Sequence, residues 1–142
     1  MIGLDLGERR IGIAVSDPTA TLARPVKTIR RGTSDEGAAD QLCAEIEGLA
    51  SDDEVGTVVV GLPRKLDGGD NQQTPRVRQM IALLSARLPI PVVTQDERLS
   101  SREAEERLAL RESDWRKRKA RLDAAAAAVI LQDYLDAAKV RE

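Results

Sequence analysis

The sequence predicts an α/β fold, a mixed β-sheet flanked by helices, and three observations predict it. Residues 2–29 carry short segments in which apolar residues alternate with small or polar ones, the pattern of half-buried strands joined by hairpins. Residues 55–61 (VGTVVVG) form a nearly continuous valine-rich run, the pattern of a strand buried on both faces. The later segments follow helical spacing between strands, and strands joined by helices imply right-handed crossovers and a sheet that is parallel on one side.

Each element has its own signal. Ile2, Leu4 and Leu6 alternate with Gly3 and Asp5, and Ile11, Ile13 and Val15 alternate with Gly12, Ala14 and Ser16. These predict two strands, joined by a hairpin loop at Gly7-Glu8-Arg9-Arg10. Asp17-Pro18 ends the second, and Leu22 to Ile29 predicts a third, which Pro25 assigns to an edge or a bulge. Ser34 is an N-cap residue followed by Asp35 and Glu36, and Ala39, Leu42, Cys43, Ile46 and Leu49 then recur at helical spacing. The run at 55–61 predicts a central parallel strand, and Leu62 to Asp70 a loop. Val77, Met80, Ile81, Leu84 and Leu88 share one face of a helix ending at Pro89, and Pro91 to Gln95 makes a fifth strand. Ser100 and Glu103 fit a capping box for a helix over 101–112, and a last helix follows over 119–138. Neither a linker nor an internal repeat interrupts this order, so residues 1–142 read as one domain, a size able to bury roughly 70% of its unfolded surface.

Composition removes whole classes of chemistry. The chain has 22 Lys+Arg, 24 Asp+Glu, a net charge of −2, no His, no Phe and one Cys. Without His there is no Ser-His-Asp or Cys-His machinery and no His-zinc hydrolase. The lone Cys43 excludes disulfide frameworks and C-x-x-C motifs, and fits a reducing compartment. Trp115 and Tyr134 supply too few rings for base-stacking modules. The longest strictly apolar run, Ala124 to Leu131, is eight residues, against roughly 20 for a membrane span. With no basic segment preceding an apolar stretch near Met1, the expectation is a cytoplasmic protein without a membrane partner.

Three carboxylates stand out. Asp5 points away from Leu4 and Leu6 on a predicted central strand, where an unpartnered charge is disfavoured. Glu97 lies at the end of the fifth strand, where open α/β sheets bind ligands. Asp123 shares a helix face with Ala126, Ala127 and Ile130, and small alanines let that helix approach the sheet and bring the carboxylate inward. Each also has a structural reading, as a turn cap, a surface acid or a helix-dipole partner. Together they repel one another unless a divalent cation sits between them, and all-oxygen ligands select Mg²⁺ or Mn²⁺ over zinc. Such sites hydrolyse phosphodiesters without histidine.

Basic residues are grouped as well. Arg111, Arg116, Lys117, Arg118, Lys119 and Arg121 precede Asp123, while Arg9, Arg10, Arg24, Lys27, Arg30, Arg31, Arg64 and Lys65 cluster at loops and strand ends, and Arg98 follows Glu97. Of these, Arg9, Arg10, Arg64, Lys65, Arg98 and residues 116–119 are the expected nucleic-acid contacts. Beside an acidic site they suit a polyanionic backbone whose bases go unread.

The blocks Asp5-Leu-Gly7 with Arg10-x-Gly12-x-Ala14-x-Ser16-Asp17, Val60-Gly61-Leu62-Pro63 with Asp67-Gly68, Asp96-Glu97-Arg98-Leu99-Ser100, and Asp123-x-x-Ala126-Ala127-x-x-Ile130-Leu131 occur in order over nearly the whole chain. Together they resemble the YqgF (RuvX-like) family of bacterial nucleases. The resemblance implies a ribonuclease H-like fold with five strands in the order 3-2-1-4-5. It also implies a metal-dependent nuclease that matures the 5′ end of pre-16S ribosomal RNA, from a family once regarded as Holliday junction resolvases. Carried over by position, Asp5, Glu97 and Asp123 are the catalytic, metal-binding carboxylates, and Arg10 and Gly61-Leu62-Pro63 border the cleft. Resolvase and ribonuclease H relatives usually present a fourth acid, often one turn from the last; here that position is Ala126, so a substrate phosphate would complete a second metal site.

RNA is the expected substrate and DNA the alternative, and an exposed helix face or edge strand leaves room for a homodimer. Two other classes compete. A sugar-kinase or actin-like phosphotransferase needs a second Asp-x-Gly hairpin and a second lobe, neither of which this chain has. A non-catalytic nucleic-acid module would not need all three acids.

Overall fold

A computed structural model describes residues 1–52, 56–65, 67–96 and 115–141. Its strands are β1 (Ile2–Leu6), β2 (Arg10–Ser16), β3 (Ala23–Arg30), β4 (Val58–Leu62) and β5 (Val92–Asp96). Among the described residues the helices are α1 (Asp35–Asp52), α2 (Thr74–Arg87) and α3 (Trp115–Arg141). The strands form one sheet in the order β3-β2-β1-β4-β5, with β1–β2 and β2–β3 antiparallel and β1–β4 and β4–β5 parallel. The mixed sheet, its strand order and its hairpin-then-crossover connectivity are those expected.

The pleat sorts side chains onto two faces. Ile2, Leu4, Ile11, Ile13, Val58, Val60 and Leu62 pack with Ala39, Leu42 and Ile46 of α1 and Val77, Met80 and Leu84 of α2. On the other face Ala14 and Val59 meet Ala127, Ile130, Leu131 and Leu135 of α3. This second face is built from small residues, and α3 sits close as a result. A Cβ added to Gly3 would stand 2.8 Å from the Leu131 Cβ and 2.9 Å from the Ala127 carbonyl oxygen. At Gly12 the approach is closer, since an added Cβ would fall 1.9 Å from the Asp123 carbonyl oxygen.

Local signals hold in detail. Ser34 Oγ accepts the Gly37 N–H at 3.0 Å, capping α1. Gly7 N–H donates to the Arg10 carbonyl at 2.9 Å, closing the first hairpin. β3 is an edge strand, and its register shifts opposite Ile13 and Ala14, beside Pro25. The boundaries differ where pairing rather than composition decides them. β4 starts at Val58, not Val55, because the parallel partner β1 begins at Ile2, whose N–H donates to the Thr57 carbonyl. β5 runs one residue beyond Gln95, since Asp96 pairs with Leu62. α3 is already helical at Trp115, ahead of the expected 119, as no Gly or Pro interrupts 115–119. The expected helix at 101–112 lies outside the described residues. No described helix is long and apolar enough to cross a membrane.

Candidate active site

Asp5 stands on β1 with its register partner Gly12 beside it on β2. Leu4 and Leu6 turn toward α1 and α2, so alternation turns Asp5 toward α3. The helix backbone at Asp123 passes directly over Gly12. Two acidic residues far apart in the chain are thereby brought near enough for their charges to interact, and the hydrogen left in place of a side chain at Gly12 is what admits the helix. The packing has an electrostatic consequence. Asp5, partly buried, is raised from 3.8 to about 7, first by burial and then by the charge of Asp123.

Asp123 lines an open cleft of about 450 Å³ with Gly7, Glu8, Arg9, Arg10 and Arg30. Glu8 is an acid on its rim, but its carboxylate pairs with Arg76 at 2.9 Å. Arg10 is partly buried, and its Nη1 is fully buried without a hydrogen-bond partner. Arg9 is exposed. Arg30, on the edge strand, is also exposed and faces Arg10 in register. Sequence reasoning counted Arg30 only as one of many basic residues, because its pairing with Arg10 depends on strand register; the cross-strand match of two hairpin-linked strands was the signal that could have found it.

The other expected residues are distributed differently. Arg64 and Lys65 lie in the loop after β4, and Arg64 turns back on that loop, its Nη1 donating to the Gly68 carbonyl at 3.5 Å. They do not line the cleft with Asp123. Residues 116–119 lie within α3. Glu97 and Arg98 lie outside the described residues, although β5 carries the chain to Asp96, level with Leu62 at the end of β4. Among the described residues no group of three His, Cys, Asp or Glu side chains is assembled for a metal. The described part of an acidic site is thus the Asp5–Asp123 pair. Its chemistry fits a hard divalent cation: oxygen donors only, and a carboxyl whose ionisation burial and a neighbouring charge disfavour, both of which an opposing positive charge would offset.

Comparison with known proteins follows the same lines. The family RuvX, described as "Holliday junction resolvase", matches residues 1–137. A protein of Anaeromyxobacter dehalogenans named "Putative pre-16S rRNA nuclease" is 45% identical over 135 residues, covering 95% of each chain. One of the same name from a Nocardioides species is 43% identical over 139 residues, covering 95% of this chain and 86% of the other. Among solved structures, T. thermophilus RuvC in complex with a Holliday junction substrate superposes with a TM-score of 0.57 at 17% identity, over 98% of this chain and 96% of that one. At that identity the likeness is one of fold.

Proposed function

Because the chain belongs to the RuvX family, we propose that its nuclease activity is divalent-metal-dependent cleavage of RNA phosphodiester bonds, directed to the 5′ end of pre-16S ribosomal RNA. Residues 1–142 act as one nuclease domain in this reading. The observation that carries it is the Asp5–Asp123 pair, two acids whose charges interact where the central strand meets α3, with Asp123 in an arginine-lined cleft.

Asp5, Asp123 and Glu97 would hold Mg²⁺ or Mn²⁺. When bound, such an ion supplies an activated water and charge stabilisation for the leaving oxygen. The chain supplies the placement. β1, hydrogen-bonded on both sides by β2 and β4, holds the Asp5 backbone in position. Gly12 seats α3, so that Asp123 is fixed by sheet packing rather than by a loop. The basic cleft draws the polyanion in, and the scarcity of aromatic rings leaves bases unstacked, which suits cleavage directed at the backbone.

The test is a cleavage panel of pre-ribosomal RNA fragments, single-stranded RNA, single-stranded DNA and four-way DNA junctions in Mn²⁺. Wild type should cut the ribosomal fragments and fall silent in EDTA. Asp5→Asn, Glu97→Gln and Asp123→Asn should each lose at least about 100-fold, because even the outer-shell partners of metal ligands are worth 10–100-fold. Full activity in EDTA or in any of the three variants overturns the mechanism, and preference for four-way junctions favours the DNA alternative instead.

A further inference from the structure

We infer that Arg10 and Arg30 form a cross-strand clamp for a single backbone phosphate, the one neighbouring the phosphate that is cut. The inference rests on the nuclease reading above and adds a subsite to it.

Arg10 and Arg30 are register partners on β2 and β3. Their strand neighbours Ile11 and Ile29 belong to the core on the α1 side, so alternation puts both arginines on the α3 side, where they line the cleft with Asp123. Like charges directly opposite one another across a ladder are destabilising. This pair is nevertheless left without a carboxylate partner among the described residues, while nearby Arg31 and Arg76 are matched to Asp35 and Glu8. Arg10 adds a second disfavoured feature, the buried Nη1 that donates to nothing. A tetrahedral phosphate relieves both at once, because it accepts from two guanidinium forks and neutralises the repulsion between them.

Position selects which phosphate. Arg10 is two residues along β2 from Gly12, the register partner of Asp5. Two strand residues span about 6.6 Å, the scale of one nucleotide step. Glu8, the remaining acid at the rim, is drawn off by Arg76 and leaves the entrance cationic.

The test uses the full chain and a labelled single-stranded RNA oligonucleotide, with binding read by fluorescence anisotropy in EDTA and cleavage read in Mn²⁺. Arg10→Gln and Arg30→Gln should each weaken binding about 10-fold or more, in line with loss of a charge-assisted hydrogen bond. Each should also reduce the slope of log affinity against log salt by about 0.7, the value for one single-strand phosphate contact. Replacing phosphates one at a time by neutral methylphosphonates should reveal one position, next to the cleavage site, that weakens wild type but scarcely affects either variant. Arg10→Lys, which keeps the charge but loses the fork, should fall between. Arg87→Gln, a cation of α2 on the far face of the sheet, should match wild type. If Arg10→Gln does not fold, the exposed Arg30→Gln carries the same readings.

Equal methylphosphonate penalties in wild type and both variants at every position overturn the clamp, as does displacement of the oligonucleotide by millimolar inorganic phosphate with no dependence on position. A failed clamp would leave Arg30→Gln binding unchanged in a protein that still cleaves in Mn²⁺. A failed nuclease reading would instead appear as a wild type that cleaves nothing with any metal.

Discussion

At Asp5 burial and the charge of Asp123 act in the same direction, raising the carboxyl from 3.8 to about 7. A carboxyl raised on folding makes the native state bind a proton that the unfolded chain has released, so its stabilising contribution is full below about 4 and is lost as pH rises through about 7. The metal-free protein should therefore show a lower urea midpoint at pH 8 than at pH 5, and Asp5→Asn should flatten that difference in parallel unfolding curves. Asp123→Asn removes the smaller of the two causes, so a carbon-13 titration of the Asp5 carboxyl should move toward, but not reach, the ordinary value. Asp17 provides a control of opposite sign. The Thr19 hydroxyl, then the Leu22 and Thr21 N–H groups, donate to its carboxylate and hold it at about 2, so what it contributes is lost only as pH falls below 3.8. Asp5 was legible in the sequence as an acid on the wrong side of a strand, and Asp123, 118 residues away, as an acid on the apolar face of a helix; what no local pattern gave was the helix backbone resting on Gly12 that brings them near each other.

At the scale of elements, the contact between α3 and the sheet decides the site. The stripe of Gly3, Gly12 and Ala14 on the strands and Ala124, Ala127 and Ala128 on the helix lets the two backbones come together. Overpacking costs about 1–3 kcal/mol in an ordinary core. Gly3→Ala, which meets a leucine Cβ and a helix carbonyl, should fall within that range by chemical denaturation. Gly12→Ala meets helix backbone alone and should exceed it; where the protein still folds, α3 must lift, and cleavage should fall further than stability does. A second junction anchors the β4–α2 loop. Thr74, fully buried, donates its hydroxyl to the Pro63 carbonyl and accepts the Asn71 N–H at 2.9 Å. Thr74→Val keeps the shape but strands both backbone groups, and should cost about 1–3 kcal/mol in the same denaturation assay. The N-cap at Ser34 and the proline on the edge strand were readable because each depends only on local backbone geometry. The start of β4 was not, because it is set by where β1 begins.

For the whole molecule, a metal that binds the folded state alone must also stabilise it. At about 100 times its dissociation constant the gain is about 2.7 kcal/mol. Mn²⁺ or Mg²⁺ should therefore raise the melting temperature of wild type, EDTA should reverse the rise, and Asp123→Asn should abolish it, whether or not a substrate is present. The net charge of −2 conceals a division of labour. Acids face each other where the central strand meets α3, and arginines rim the opening beside them. A polyanion can then approach a protein that is itself slightly anionic.

The sequence by itself determined the mixed sheet, since alternation, a valine run and helical spacing each follow from how a short segment meets water and core. It determined the kind of chemistry too, because a chain without histidine and with one cysteine is left with carboxylates, arginines and a borrowed ion. Only the tertiary structure decided how Asp123 is brought up to Asp5 and which arginine faces Arg10. The first depends on a helix resting on Gly12 and the second on the register of an antiparallel pair. Both are contacts between segments distant along the chain, and no local pattern of residues specifies the distance between such segments until the core has closed around them.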